Sequence, residues 1–459
     1  MQRLFGAVLA GAMALGSGVQ ARAETLADAL ISAYRHSNLL EQNQALLRAA
    51  DEGVAQAVAS LRPVIDYSLS MNLSKSSVAG QPSTPASLGQ TLAMTGSMML
   101  YDFGRSEISK RMAEENVLAT RQALVSVEQD VLMSAVAAYV NLGLQTQTLA
   151  LRQSNTRLIE QELRAVKDRF DVGETTRTEV AQAESLLASA QAAEQAAIGA
   201  VALAQEDYRS RVGHAPGTLP PLPAAPSLPA SEEEAKAIAQ RRHPLLLQSQ
   251  SQLKLAEMQV EVAKANFSPM ISATSSLSSS FSDTSADRLS ASLGLGMSQT
   301  IYSGGMKASQ LREAIANADR TRAAARETGV ILSESVGRAW SNISVATANI
   351  DSTDKQVKAA QAVFEGVSEE ASLGAKTSLD VLDAEQDVLN ARFAKLQAEA
   401  QLYQGVYELL SAMGLLTVEH LGLGIPTYDV EAYYNLVKKA PAHSAQGAAL
   451  DRILGSIGE

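Results

Sequence analysis

Asp380, Asp383 and Asp387 recur at i, i+3 and i+7, which would put three carboxylates on one face of a helix. Carboxylates grouped along a passage would attract cations and repel anions. Spacing alone fits plainer roles better: Asp380 as an acid capping a helix start, Asp383 and Asp387 as charges on a solvated face. Catalytic groupings are missing. His36, His214, His243, His420 and His443 stand apart, with no pairing at metal-ligand spacing. Serines are many, but no Gly-x-Ser-x-Gly elbow occurs. There is no cysteine, so thiolate metal sites, a cysteine nucleophile, disulfides and an N-terminal lipid on cysteine are excluded. Nothing implies a cofactor, a metal or an enzyme.

The elements that must position those acids come in two copies. Tyr101, Tyr139-Val140-Asn141, Gly173 and Val212-Gly213 recur as Tyr302, Trp340-Ser341-Asn342, Gly374 and Met413-Gly414, always 201 residues later. Arg62-Pro63 recurs as Ser268-Pro269, 206 residues later. One register held over so long a stretch marks a duplication. Each copy reads helix, strand, strand, long helix, short helix. The first helices are expected at 26–61 and 232–267, the long ones at 106–170 and 308–373. Leu382, Leu389, Leu396, Tyr403 and Leu410 fall seven apart in the last helix, a coiled-coil spacing. Gly173 and Gly374 suit the left-handed residue that ends a helix. Thr176 with Glu179, and Thr377 with Asp380, suit the start of the next. Two antiparallel helical hairpins follow, with tips near 171–178 and 372–379.

Four segments, near 64–74, 88–101, 270–281 and 289–301, alternate apolar with small polar residues. Ile65, Tyr67, Leu69, Met71 and Leu73, for example, interleave with Asp66, Ser68, Ser70, Asn72 and Ser74. Each is about ten residues long, enough for a tilted strand to cross a bilayer with lipid on one face and water on the other. Tyr101, Phe103, Phe267 and Tyr302 stand where strands meet helices and suit an aromatic girdle at the inner interface of the membrane the strands cross. The polar segments 75–87 and 282–288 would face outward. Four strands cannot close a barrel, and an open edge in lipid leaves backbone groups unpaired. An eight-stranded interior fills with side chains, so a conducting lumen favours at least three copies.

The chain opens with Arg3, an apolar run from Leu4 to Leu15, and Ala21-Arg22-Ala23, the pattern of a cleaved secretory signal over 1–23. Loss of Arg3 and Arg22 takes the net charge from −11 to −13. That balance argues against nucleic acid as a partner. No later segment reads as a membrane-spanning helix, which leaves strands as the route through lipid. The organisation expected is a first repeat over 24–213, a linker over 214–231 with six prolines, a second repeat over 232–414, and a periplasmic tail over 415–459 with a short helix near 428–439. The linker cannot be helical. A flexible tether and a strap lying on the helices are both compatible with it.

The sequence resembles the TolC family of outer-membrane efflux and type I secretion proteins over nearly all of the mature chain. The resemblance rests on Tyr101-Asp102-Phe103-Gly104 and Tyr302-Ser303-Gly304-Gly305. It rests equally on Arg169-Phe170-Asp171-Val172-Gly173 with Thr178-Glu179-Val180, and on Gly374 with Leu379-Asp380-Val381-Leu382-Asp383-Ala384. It implies a mainly α fold with a β-barrel portion: a homotrimer with a twelve-stranded outer-membrane barrel continuous with a periplasmic helical barrel. It also implies docking to a periplasmic adaptor (membrane fusion) protein and an inner-membrane transporter. Asp380 and Asp383 match the acids of the family's pore constriction, and Asp387 does not. Glu179 and Gln182 stand at the corresponding places in the first repeat. Lys376 stands where the family usually has an arginine that links neighbouring tips, with Thr178 and Glu179 as acceptors. Lysine lacks arginine's two-pronged geometry, and Ala371 replaces a tyrosine of some members, so a more readily opened gate is expected. The rival reading is a periplasmic coiled-coil adaptor or structural protein, which would carry one hairpin flanked by β-rich domains.

Overall fold

The structure, a computed structural model, describes residues 24–75, 79–80, 86–282, 286–440 and 452. The expected signal, much of both outward segments and the tail beyond Ala440, apart from residue 452, lie outside the described residues. The elements run α1 (Leu26–His36), α2 (Asn38–Ala59), β1 (Val64–Ser74), β2 (Ser87–Tyr101), α3 (Arg105–Asp171), α4 (Arg177–Val212), α5 (Glu232–Arg242), α6 (Pro244–Ala265), β3 (Met270–Ser282), β4 (Arg288–Ser298), α7 (Met306–Ser372), α8 (Ser378–Ala412) and α9 (Ala432–Val437). α3 and α7 each have 67 residues, a length of about 100 Å at 1.5 Å per residue.

The chain divides into two units. One holds 1–36, 135–225 and 349–400, and the other holds 37–134, 226–348 and 401–459. In the first, the start of the linker lies along the helices as a strap. Leu219, Pro220 and Leu222 line a small cavity with Tyr139, Val140 and Leu396. Glu24, just before α1, fastens that strap. Its carboxylate accepts from Tyr208 Oη at 2.7 Å and the Gly217 amide at 2.9 Å, and sits 2.7 Å from His214 Nε2. Its own amide donates to Thr218 O at 3.1 Å, and its carbonyl accepts from Tyr139 Oη at 3.1 Å. Tyr139 and Tyr208 are fully buried. Burial, aided by the charges of Glu24 and Asp28, pushes the Tyr139 hydroxyl up to about 12. Burial and the bond to Glu24 raise that of Tyr208 further.

In the second unit, β1-β2-β3-β4 form one antiparallel sheet in that order. Among the described residues, β1 and β4 are its edges, each paired on one side only. The short helix near the end is α9, which packs on α2 through Ala55 and Val437. Tyr433 Oη donates to Glu52 at 2.8 Å.

Two expectations need correction. The first helix of each repeat is not continuous. It breaks at Ser37, whose hydroxyl accepts from the Leu40 amide, and at His243, whose Nδ1 accepts from the Leu245 amide at 3.1 Å. Pro244 takes the first position of α6, where its missing N–H costs nothing. Burial lowers the proton affinity of His243, which suits an imidazole that must accept from an amide. Second, stretches of α3 and α4 do reach the length and apolarity of a membrane span, with mean hydropathy 1.4 and 1.3. Alanine in α4 and valine and leucine in α3 account for this, and half of the α3 stretch is buried within the fold.

The His243 break is held against the end of α8. Gly414 has φ +76°, and a Cβ there would come within 2.8 Å of His243 Cα and 3.1 Å of Pro244 Cδ. Gly414→Ala is expected to destabilise by about 2–4 kcal/mol, strain and overpacking together. Gly422→Ala, at φ +62° with open space around it, should cost only about 1 kcal/mol. Thermal melts of the two variants check this; equal melting temperatures would mean that the contact with His243 carries no energy.

Candidate lipid-facing sheet and hairpin-tip gate

Strand pairing aligns the alternation of all four strands. Leu69 faces Leu92, Tyr67 faces Met94, Met94 faces Leu277, and Leu277 faces Ala291. Ile271 pairs with Met297 and Ala273 with Leu295. Directly paired residues share a face, so the apolar side chains merge into one surface. That surface is uncovered: Tyr67 is 81 %, Leu293 85 % and Met297 70 % exposed. The opposite face carries Ser, Thr and Asn, with cross-strand contacts such as Ser276 Oγ to Ser292 Oγ at 2.8 Å. A bulge between Met99 and Tyr101 drops Leu100 from the pairing and sets Tyr101 opposite Ile271. Tyr101 therefore joins the apolar face, which strict alternation did not foretell.

The aromatic motifs at the strand–helix junctions also start the long helices. Asp102 accepts from the Ser106 amide at 2.7 Å and from its hydroxyl. Ser303 does the same for the Lys307 amide at 3.4 Å. Phe103 and Gly104 make the turn with φ +57° and +85°. The rings of Tyr101 and Phe103 pack at a tilt of 60° with centres 4.7 Å apart. Phe103, Phe267 and Tyr302 are all exposed.

At the first tip, Gly173 (φ +81°) donates to Phe170 O, and Glu174 to Arg169 O, both at 2.9 Å. At the second, Gly374 (φ +77°) donates to Ala371 O at 3.0 Å, and Ala375 to Glu370 O at 2.9 Å. These paired bonds close the ends of α3 and α7 in the same way. Beyond them, Thr377 and Asp380 form a reciprocal cap. Asp380 accepts from the Thr377 amide at 2.8 Å and hydroxyl at 2.9 Å, while its own amide donates to Thr377 Oγ1 at 3.2 Å. The Thr377 amide and hydroxyl, with Lys376 nearby, hold the Asp380 carboxyl below the usual range. The first tip is built differently. Thr176 caps the Glu179 amide at 3.3 Å, but the Glu179 carboxylate takes the Thr175 hydroxyl instead. Asp383, Asp387, Thr178 and Lys376 are exposed.

Sequence reasoning missed one contact here. Arg169 Nη2 donates to Glu162 Oε1 at 2.9 Å and also to the hydroxyl of Ser378. Ser378 is buried. Arg169 thereby ties the end of α3 to the start of α8. Beneath it, Ile159, Ala190 and Leu382 form a buried apolar cluster. Among the described residues, no group of three or more His, Asp or Glu is placed to hold a metal.

The chain matches the outer membrane efflux protein family over residues 30–214 and 237–415. It belongs to that family. The outer membrane efflux protein BepC of Brucella suis biovar 1 (strain 1330) is 34% identical over 440 residues, 95% of this chain and 93% of that protein. The outer membrane protein TolC of Escherichia coli (strain K12) is 23% identical over 421 residues, 86% of this chain and 84% of that one. In three dimensions the chain is similar to the Campylobacter jejuni CmeC outer membrane channel, with a TM-score of 0.76 and 16% identity over 90% of this chain and 89% of that one. The efflux-family fold is therefore that of a TolC-like channel, mainly helical with a four-stranded antiparallel portion. Outer membrane efflux proteins are outer-membrane transport proteins.

Proposed function

We propose that three copies of this chain join their sheets into one twelve-stranded barrel and their helices into a tunnel, making a passive exit duct from periplasm to exterior. One observation carries the reading: an open sheet whose two edge strands have no outer partner among the described residues and most of whose apolar face is uncovered. Lipid removes the cost of that face, and edge-to-edge closure with neighbouring copies removes the cost of the edges. The duct works in series with a periplasmic adaptor and an inner-membrane transporter, and its helices stand in the periplasm. Tyr101, Phe103, Phe267 and Tyr302 lie at the inner interface. No step of bond chemistry is asked of the chain.

In this proposal Asp380 and Asp383 of three copies ring the narrow end of the tunnel. Capping a helix does not remove Asp380 from that role: the reciprocal cap keeps it ionised and fixed in place. Lys376 of one copy meets Thr178 and Glu179 of the next in the closed state. The adaptor reading loses ground because both repeats carry a hairpin preceded by two amphipathic strands.

The test is conductance in planar bilayers. The purified protein is expected to form cation-preferring channels. The double variant Asp380→Asn, Asp383→Asn should lose about tenfold of that preference at low salt, and less at high salt, where charges are screened. A duct whose reversal potential is indifferent to both substitutions would place the acids away from the constriction.

A further inference from the structure

α8 ends at Ala412, α6 begins at Pro244, and Gly414 packs against His243 where the two meet. α3 and α7 flank this end-to-end junction, and the four helices line a hollow of about 530 Å³. α3 contributes Ser126, Gln129, Asp130 and Met133, spaced i, i+3, i+4 and i+7 on one face. α7 contributes Ile331, Ser335, Arg338 and Asn342, and α8 contributes Glu408. A second hollow of about 270 Å³, at Gly405, shares Asn342 and Glu408 with the first. We propose that this hollow is a binding site for amphiphilic organic cations, set in the tunnel wall on its lumenal side.

The charge of the hollow is unbalanced. Asp130 and Glu408 are its carboxylates, while its one guanidinium, Arg338, is closed on Glu334 at 2.6 Å. Burial pushes the carboxyls of Asp130 and Glu408 up, and no neighbouring cation offsets it. A bound cation relieves both, and walls of low dielectric focus the field of the two acids onto it. Met133, Leu245, Ile331 and Leu332 offer apolar surface to the rest of the occupant. An unmet polar group points the same way. Gln129 is 3 % exposed, and its Nε2 has no partner, nor has the Ser126 hydroxyl one turn away. Whichever way the amide turns, one end of it calls for a polar group on the occupant. A bare metal ion leaves the apolar walls unmatched, and a fatty anion meets two like charges.

The side on which the hollow opens follows from helix geometry. On α7, Gln240 of α5 donates to Ser333 Oγ at 3.2 Å, and a Cβ on Gly337 would come within 3.1 Å of Glu232 Oε1, also of α5. On α3, Glu128 accepts from the Val418 amide at 2.7 Å. Each of these contacts stands two residues from a lining residue, about 200° round the helix. α5 and the segment after α8 therefore cover one side of the wall, and the hollow opens on the other. Three copies of α5 and of that segment turned inward would crowd the passage, so the hollow faces the lumen. That step rests on the reading of the chain as a duct, whereas the hollow itself lies within one copy.

The experiment is calorimetric titration of the full mature protein with procaine, which carries an ammonium, an ester carbonyl and an aromatic ring. Ethyl 4-aminobenzoate, with the same ring and an ester but no ammonium, is the comparison. Trimer migration on gels checks that each variant assembles. Wild type is expected to bind one procaine per chain, about tenfold or more tighter than the uncharged ester. Asp130→Asn and Glu408→Gln should each weaken procaine about tenfold and leave the ester unchanged. Gln129→Leu should bind procaine several-fold more weakly yet melt higher, because its unmet amide is gone. Ser335→Phe, which fills the hollow, should bind neither. In planar bilayers procaine should reduce the current of wild type but not that of Ser335→Phe. Asp130→Asn and Glu408→Gln proteins that hold procaine as wild type does overturn the proposal, as does equal affinity for the two compounds. Loss of binding in the Asp380→Asn, Asp383→Asn protein moves the site to the tips and overturns it too. In a conducting protein, binding without block overturns the lumenal placement. A protein that conducts but binds no procaine loses the hollow and keeps the duct. One that binds procaine but never conducts loses the duct and keeps the hollow.

Discussion

Replacing Glu24 by alanine is expected to lower stability by about 3–5 kcal/mol and to free the strap. The change removes the acceptor of the Tyr208 hydroxyl, the Gly217 amide and the His214 ring at once. Tyr208 is fully buried, so its hydroxyl would stay without a partner, at about 1–3 kcal/mol. The His214 share is small, because that ring is 43 % exposed and water replaces the lost contact. The Gly217 amide loses a charge-assisted bond of about 1.5–3 kcal/mol. Glu24→Gln retains one acceptor oxygen and should recover part of the loss. Thermal unfolding measures the size, and limited proteolysis over 214–222 measures the strap. A Glu24→Ala protein that melts with wild type and resists cleavage there would mean that the strap is held by its prolines and leucines alone.

Leu293→Arg is expected to abolish assembly in the outer membrane, whereas Ser292→Arg on the same strand should be tolerated. Leu293 lies mid-strand in β4, 85 % exposed on the apolar face. An arginine at the lipid-facing midplane of a barrel costs about 2–4 kcal/mol, and a barrel of three copies would carry it three times. Ser292 is adjacent in sequence and points to the other face, opposite Ser276. In a water-filled lumen its replacement would change conductance and selectivity but not insertion. Heat-resistant trimers in outer-membrane fractions give the readout. If both variants insert, or neither does, the two faces of the sheet are not lipid and water. The comparison does not depend on the gate.

Some of this architecture follows from local rules. Side chains in a strand alternate with period two, so the apolar and polar sets of all four strands were legible before any pairing was known. The 201-residue register, the glycine stops and the Thr-x-x-acid starts are local as well, and α3, α7 and both tips fall where those signals stand. The breaks at Ser37 and His243 carried local signs too, a capping serine and a proline one residue on, but apolar spacing on both sides masked them.

Other features depend on residues that meet only after folding. Which strand pairs with which, and at what register, fuses four alternating stripes into one apolar face. The bulge that turns Tyr101 onto that face depends on its partner Ile271, 170 residues away. Glu24 looks like any acid after a cleavage pattern until α4 and the strap bring Tyr208, His214 and Gly217 to it. Asp380 could be read as a cap from its spacing, and the structure supplies the reciprocal bonds. Periodicity along a chain selects elements and their faces. A hydrogen bond, a buried charge or a bulge is a property of two distant segments in contact, and no window of sequence contains both.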